Sequence, residues 1–293
     1  MTTTTASPLP LTDPPSVAWE PAAGVTVRGT VLLLPGRGEH PGVYARFGRR
    51  LAFDGYRVVV RAVPAAGSAA GPALPDPADL AGPVAEARAI APPGAPVVLA
   101  GSDTGALLAL AAARQAAPDG LLLVGLPTAV ATPEALETAD GWTDELGART
   151  SCPAHRGLLA ADPDFRPGAL AEDVPADLAR AAEDAASEVP ADGVPDLKAP
   201  VLDVPVLVVH GSADPVSPPA TARRFAGRLA ADLVLVADGR HDALNDAAHR
   251  SVAAAVVQWL ERLRGGPHLP AQIVTTDAGG RTAHPRALEG DPA

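Results

Sequence analysis

The sequence predicts an α/β protein built on a doubly wound, mostly parallel sheet with one long insertion, and three observations carry that prediction. Short apolar runs alternate with amphipathic or Ala-rich stretches of helical length, the pattern of successive βαβ units. A Gly-x-Asp-x-Gly turn, Gly101-Ser102-Asp103-Thr104-Gly105, stands between one such run and the helix that follows it. The alternation lapses between Leu126 and about Pro200, then resumes.

Taken in order, the Thr-, Ser- and Pro-containing start, residues 1–15, reads as a mobile tail. Val25 to Leu34 turns from β-branched to continuously apolar, which predicts a strand pair ending at Pro35-Gly36. The next helix buries Val43, Phe47 and Leu51, four residues apart, and Gly55 stops it. Tyr56 to Val60 is the following strand. Asp76-Pro77 is an N-cap and first-turn pair for a helix carrying Leu80, Val84 and Ala91. Val97 to Ala100 is a buried strand, and Gly120 to Gly125 another. Within the insertion, Pro133–Thr138, Ala169–Glu172 and Asp177–Ser187 read as weak helices. Pro205 to Val209 resumes the sheet, Ser217-Pro218 opens a helix, and Leu233 to Val236 is the last strand. A final helix sets Val252, Val256, Trp259, Leu260 and Leu263 on one face before Gly265-Gly266-Pro267 ends it. The expected division is a core of residues 16–125 and 201–264, an insertion of residues 126–200 and a disordered tail of residues 265–293.

Composition narrows the class. The chain has 293 residues, 47% of them hydrophobic, enough for one full core plus a modest insertion. Only 3% are aromatic, so Ala, Val and Leu must build that core. A net charge of -11 argues against a broad phosphate-binding surface, so no nucleic-acid partner is expected. The single Cys152 excludes an internal disulfide and suits a reducing compartment. No apolar run reaches membrane-spanning length, and the start lacks a basic n-region and an apolar h-region. Together these predict a cytoplasmic protein with no membrane partner; the oligomeric state is left open.

Gly-x-Asp-x-Gly has the spacing of a nucleophile elbow, in which flanking glycines let strand and helix approach closely around a strained central residue. The usual centre is Ser; here it is Asp103. Leu34-Pro35-Gly36-Arg37-Gly38-Glu39-His40, Val208-Val209-His210-Gly211-Ser212-Ala213-Asp214 and Gly239-Arg240-His241 complete a set of three motifs in a fixed order. On these residues the chain resembles the α/β-hydrolase superfamily, and is similar to its monoacylglycerol lipase/lysophospholipase (serine aminopeptidase-like) branch. Pro35 replaces that branch's usual His, and the Ala-rich stretch from Arg61 to Ser68 replaces its Gly-rich one.

The resemblance implies the α/β-hydrolase fold, with residues 126–200 as a helical cap. It implies Asp103 as nucleophile, His241 as base and Asp214 as the group that orients it. The Arg37 and Thr104 backbone N–H groups would form the oxyanion hole, with Gly36, His40, Ser102 and Trp142 placed to meet substrate. An inward Arg37 side chain would suit a polar or carboxylate-bearing substrate. A carboxylate needs no base to attack, so His241 would activate the water or acceptor that resolves the intermediate. The expected function is ester or thioester hydrolysis, or acyl transfer, in small-molecule biosynthesis, with a small-molecule acyl substrate carried as a thioester on a carrier protein or coenzyme A. Two alternatives remain open: an epoxide hydrolase or dehalogenase-type enzyme with the same Asp nucleophile, and a binding module that kept the fold without catalysis. Against the first, Thr104 rather than Trp follows Asp103, and the two tyrosines, Tyr44 and Tyr56, lie outside the insertion. Ser102 is a lesser candidate nucleophile. His210 reads as structural, and His249, His268 and His284 as surface residues. Arg149 to Arg156, with Cys152 and His155, reads as a basic loop with one ordinary thiol. Neither a metal site nor a cofactor is expected, since paired ligand spacings are missing.

Overall fold

The computed structural model describes residues 16–63, 75–127, 141–186 and 202–266. Seven strands, β1 (Ser16–Trp19), β2 (Gly29–Leu34), β3 (Tyr56–Arg61), β4 (Val97–Ser102), β5 (Gly120–Val124), β6 (Val206–Gly211) and β7 (Asp232–Val236), form one sheet in the order β1-β3-β2-β4-β5-β6-β7. β1 pairs antiparallel with β3, and every other ladder is parallel. β2, β4, β5 and β6 are buried at every position. Strands covered on both faces need apolar residues throughout, which is why they read as continuous runs.

The helices are α1 (Ala45–Phe53), α2 (Ala81–Ile90), α3 (Thr104–Ala116), α4 (Gly141–Arg149), α5 (Pro153–Ala161), α6 (Ala176–Ala185), α7 (Pro219–Arg228) and α8 (His249–Gly265). Leu32, Leu99, Leu121 and Val208 face α2, α3, α6 and α7, while Val31, Val98, Leu122 and Val209 face α1 and α8. With few aromatics available, closeness does the packing. The Ala-rich α3 lies so near the sheet that a Cβ on Gly101 would fall 2.0 Å from the Gly105 carbonyl oxygen, and one on Gly105 2.3 Å from that of Leu34.

Several boundaries differ from expectation. Val25 lies beyond a turn rather than in a strand, and β2 begins at Gly29. Asp76 does cap its segment, its Oδ1 accepting from the Ala78 N–H at 2.8 Å. What it caps is a 3-10 turn, Pro77–Leu80, that runs into α2 and stops short of Ala91. The Ala169–Ala171 stretch is likewise a 3-10 turn. Helices α4 and α5 were not anticipated. α4 contains Gly141, Thr143 and Gly147, poor helix formers, and is held by tertiary contacts; α5 carries a readable start signal, Pro153 at its first turn. Of the insertion, α6 packs on α3 as part of the helical layer over the sheet. The expected helix at Pro133–Thr138 and both expected tails, apart from residues 265 and 266, lie outside the described residues.

Candidate active site

Asp103 follows β4 directly with φ 51° and ψ -123°, a conformation that costs a non-Gly residue roughly 1–3 kcal/mol. Its neighbours hold it there. The Asp103 N–H donates to the Val124 carbonyl at 2.9 Å, and its own carbonyl accepts from Ala106 at 3.0 Å. Thr104 opens α3, so its N–H is among those a helix leaves unpaired at its start. Across the elbow, a Cβ on Gly36 would meet the Asp103 Cβ at 2.9 Å, so only Gly lets the β2 loop approach this closely.

That loop delivers Arg37 onto the elbow carboxylate. The Arg37 backbone N–H donates to Asp103 Oδ2 at 2.9 Å, Nε to the same oxygen at 2.8 Å and Nη2 to Oδ1 at 2.8 Å. His241 Nε2 donates to Oδ1 at 3.2 Å, while Nδ1 donates to Asp214 Oδ2 at 2.8 Å. The second Asp214 oxygen accepts the Val216 and Ser217 N–H groups at 2.8 and 3.1 Å. Each Asp103 oxygen thus accepts two hydrogen bonds, which exhausts a carboxylate's capacity. The group is sealed: Asp103 is 1% exposed and His241 0%.

Burial alone would lower the basicity of His241; the Asp214 and Asp103 carboxylates outweigh it and raise its pKa to about 10. Burial would push Asp103 up; Arg37 and His241 together hold it well below the usual carboxylate range. Arg37 and His241 thus face the Asp103 carboxylate together, and His241 also faces that of Asp214.

A second cluster supports it from the insertion. Arg149, fully buried, donates through Nε and Nη2 to Glu145 Oε1 at 3.0 and 2.9 Å, and through Nη2 to the Arg37 carbonyl at 2.7 Å. Its Nη1 lies 3.6 Å from Asp242 and 4.0 Å from Glu39, and its guanidinium stacks 4.9 Å from the Phe165 ring. Burial first, then the Glu39 charge, pushes Asp242 well above the carboxylate range. The Ala148 and Arg149 carbonyls accept the His241 and Asp242 N–H groups at 3.2 and 2.8 Å. Arg37 Nη1 closes the circuit by donating to the Leu170 and Glu172 carbonyls at 3.1 and 2.5 Å.

Asp103, His241, Asp214, Arg37, Thr104 and Gly36 thus come together, whereas Ser102 and His40 do not join them. The Ser102 hydroxyl lies beside Tyr44, which packs on one face of the sheet. His40 spends its ring on Asp162 at 2.8 Å and on the Gly42 N–H at 3.2 Å, because it caps the 3-10 turn after the loop. Trp142 lies in α4, and its side chain falls outside what is described. His210 is buried, with Nε2 donating to the Ser217 carbonyl at 2.9 Å. Of the expected basic loop, Arg149 and His155 are both 0% exposed, while Arg156 stays at the surface. Arg149 and Glu145 were missed, although their i,i+4 spacing was a readable signal. A groove of about 560 Å3 lined by Pro96, Pro118 and Pro205 opens at the amino ends of the strands, opposite Asp103, and plays no part here.

Sheet order, elbow and carboxyl-edge site together define an α/β-hydrolase fold. The sequence profile of the serine aminopeptidase S33 family matches residues 25–248. The chain belongs to that family, and so to the α/β-hydrolase-type hydrolases. A soluble variant of the Saccharomyces cerevisiae monoglyceride lipase, in complex with a substrate analogue, is similar in structure, with 20% identity, a TM-score of 0.64 and coverage of 85% of this chain and 91% of that one. The monoacylglycerol lipase of Paleococcus ferrophilus superposes at 19% identity and TM-score 0.59, covering 85% and 98%. A thermophilic esterase of Thermogutta terrifontis does so at 22% and 0.56, covering 85% and 94%. At these identities the likeness is one of fold. No curated protein sequence matches the chain at a significant level. No helix among the described residues is long and apolar enough to cross a membrane.

Proposed function

We propose that this chain hydrolyses a carboxylic ester or thioester through a covalent acyl intermediate on Asp103. The observation that carries the reading is the 3.2 Å contact between Asp103 Oδ1 and His241 Nε2. Oδ1 attacks the substrate carbonyl carbon, and the charge on its oxygen falls to the Thr104 N–H and the Arg37 guanidinium. The bond to the leaving group breaks as His241 gives that group its proton, leaving a mixed anhydride on Asp103 and a neutral imidazole. Acylation also removes the Asp103 charge, one of the two that raise the His241 pKa. His241 thereby becomes a base when a base is required. Water, deprotonated by His241, adds to Asp103 Cγ, whose Oδ2 already accepts the Arg37 N–H at 2.9 Å. The anhydride C–O bond breaks, the carboxylate product departs, and Asp103 loses its new proton to solvent.

Leaving-group position favours acyl over alkyl chemistry. In acyl transfer the leaving group departs from the carbon attacked, beside His241. In displacement at saturated carbon it departs opposite Oδ1, away from that acid, and neither tyrosine of the chain lies in the insertion to replace it. One observation favours the alkyl reading as a second choice: Oδ2 occupies the Arg37 N–H before any substrate arrives.

Rapid-quench intact mass measurement after mixing with activated esters, thioesters, epoxides and haloalkanes tests both. The expected result is an acyl adduct that maps to Asp103 and is missing from Asp103→Asn. After several turnovers in 18O water, the Asp103 peptide gains label. An epoxide or halide adduct instead moves the assignment to alkyl chemistry; no adduct and no turnover overturns both.

A further inference from the structure

We infer that the Arg37 guanidinium is a carboxylate receptor, and that the acyl groups this site takes carry a carboxylate of their own close to the reacting carbonyl. The inference rests on the acyl reading above and adds the substrate class to it. Nε and Nη2 of Arg37 grip Asp103 side-on, each at 2.8 Å, the two-pronged geometry that selects planar carboxylates. The grip is aimed by something other than Asp103. Nη1 is tied to the Leu170 and Glu172 carbonyls at 3.1 and 2.5 Å, so backbone of the insertion fixes the direction of the fork.

When Asp103 is acylated, it becomes neutral and the fork loses its carboxylate, the one ion-pair partner Arg37 has among the described residues. Arg37 is 8% exposed, so water has little access to replace that partner, and a buried cation without one is strongly disfavoured. A carboxylate carried on the acyl group restores the pairing at the moment it is lost. An acyl group without one leaves the guanidinium with neutral acceptors alone, the Leu170 and Glu172 carbonyls and the acylated Asp103. Because the fork lies 2.8 Å from the attacking oxygen, the second carboxylate must sit within about three bonds of the reacting carbonyl, each bond spanning roughly 1.5 Å. Hemiesters and monothioesters of short dicarboxylic acids meet that condition; plain fatty esters do not.

Calorimetry tests the receptor without any chemistry. In Asp103→Ala the fork is vacated, so succinate is expected to bind at least about 100-fold tighter than to wild type or to Asp103→Ala/Arg37→Gln, the scale of a two-pronged charge-assisted contact. Neutral succinamide is expected to gain nothing. Equal succinate affinity across the three proteins overturns the proposal. Should Asp103→Ala fail to fold, wild-type kcat/KM for matched 4-nitrophenyl esters decides. A preference for succinyl over butanoyl of about 100-fold is expected, and a ratio of one or less overturns it. Failure of the underlying acyl reading looks different: neither ester leaves a mass adduct on Asp103, while succinate binding to the alanine variant is unchanged.

Discussion

Asp103 and Glu39 are both buried carboxylates at the carboxyl edge of the sheet, each beside one buried arginine, and their oxygens fare differently. All the lone pairs of Asp103 are filled, by Arg37 and His241. Glu39 Oε2 accepts from the Tyr44 hydroxyl and from the Gly36 N–H at 2.9 Å. Its Oε1, like Arg149 Nη1 and Asp242 Oδ2, makes no hydrogen bond among the described residues. The saturated cluster can change partners only if a charge changes, which is what a covalent step at Asp103 does. The looser cluster does its work through backbone: Arg149 holds the Arg37 carbonyl, and the end of α4 holds the His241 loop. One cluster is arranged for reaction and its neighbour for placement.

Breaking the first should have the largest effect. Asp103→Asn removes the nucleophile and one of the two charges that keep His241 protonated, so kcat for an activated ester is expected to fall about 10^4-fold, as for other members of concerted catalytic groups. Stopped-flow single turnovers, with circular dichroism to confirm folding, check it. A fall of less than tenfold would remove Asp103 from the mechanism.

The same contrast explains what was legible in the sequence. The parallel sheet was readable because strands buried on both faces have no choice of residue type, and the elbow because Gly101 and Gly105 admit no side chain. Asp103, Asp214 and His241 were picked out by three motifs whose order resembles that of the α/β-hydrolases, each motif following a strand pattern. The Arg149 cluster was not. Its four residues come from a loop, a helix and the His241 turn, and only folding brings Glu39, Glu145, Arg149 and Asp242 together. Helix α4 was hidden for the same reason, since its stability comes from those contacts and not from propensity. His40 shows the converse: its motif position suggested substrate, while its ring serves a turn and Asp162.

Arg149→Met sharpens the comparison from the other side. It leaves Glu39 and Glu145 without their cation in a site with no water access, and removing one partner from such a cluster costs about 3–5 kcal/mol. Urea unfolding should show that loss, accompanied by a fall in kcat, because the Arg37 carbonyl and the His241 loop lose their tether. Asp103→Asn, by contrast, should cost activity far beyond its cost in stability. Similar ratios of the two losses in both variants would erase the distinction drawn between the clusters.

The charge state of the saturated cluster sets a pH dependence opposite to that of a neutral histidine base. His241 is raised from 6.5 to about 10. Its contribution to stability is therefore complete below about pH 6.5, and disappears as pH climbs through about 10. Asp103 is depressed, so its contribution is present above the ordinary carboxylate range and is lost only in strong acid. Acylation needs ionised Asp103 and protonated His241, so its single-turnover rate should be flat through neutrality and decline tenfold per pH unit above about 10. A rise through pH 7 would mean that His241 begins as a neutral base.

The smallest effect is expected where a motif residue has been diverted from the site. The His40 ring meets Asp162 at 2.8 Å, with side-chain exposures of 26% and 16%, so the pair is partly in water and worth at most about 1 kcal/mol. Its second contact, to the Gly42 N–H at 3.2 Å, caps a single turn. His40→Ala should therefore lower the midpoint of thermal unfolding by a few degrees at most, roughly 4 °C per kcal/mol or less in a domain of this size. It should change kcat/KM by less than about twofold, since no atom of the ring meets Asp103, Arg37 or His241 and a twofold change is under 0.5 kcal/mol. A tenfold rise in KM with unchanged stability would show that substrate reaches His40 after all. It would also extend the reacting site along the β2 loop toward Asp162, a direction in which Arg37 gives no guidance.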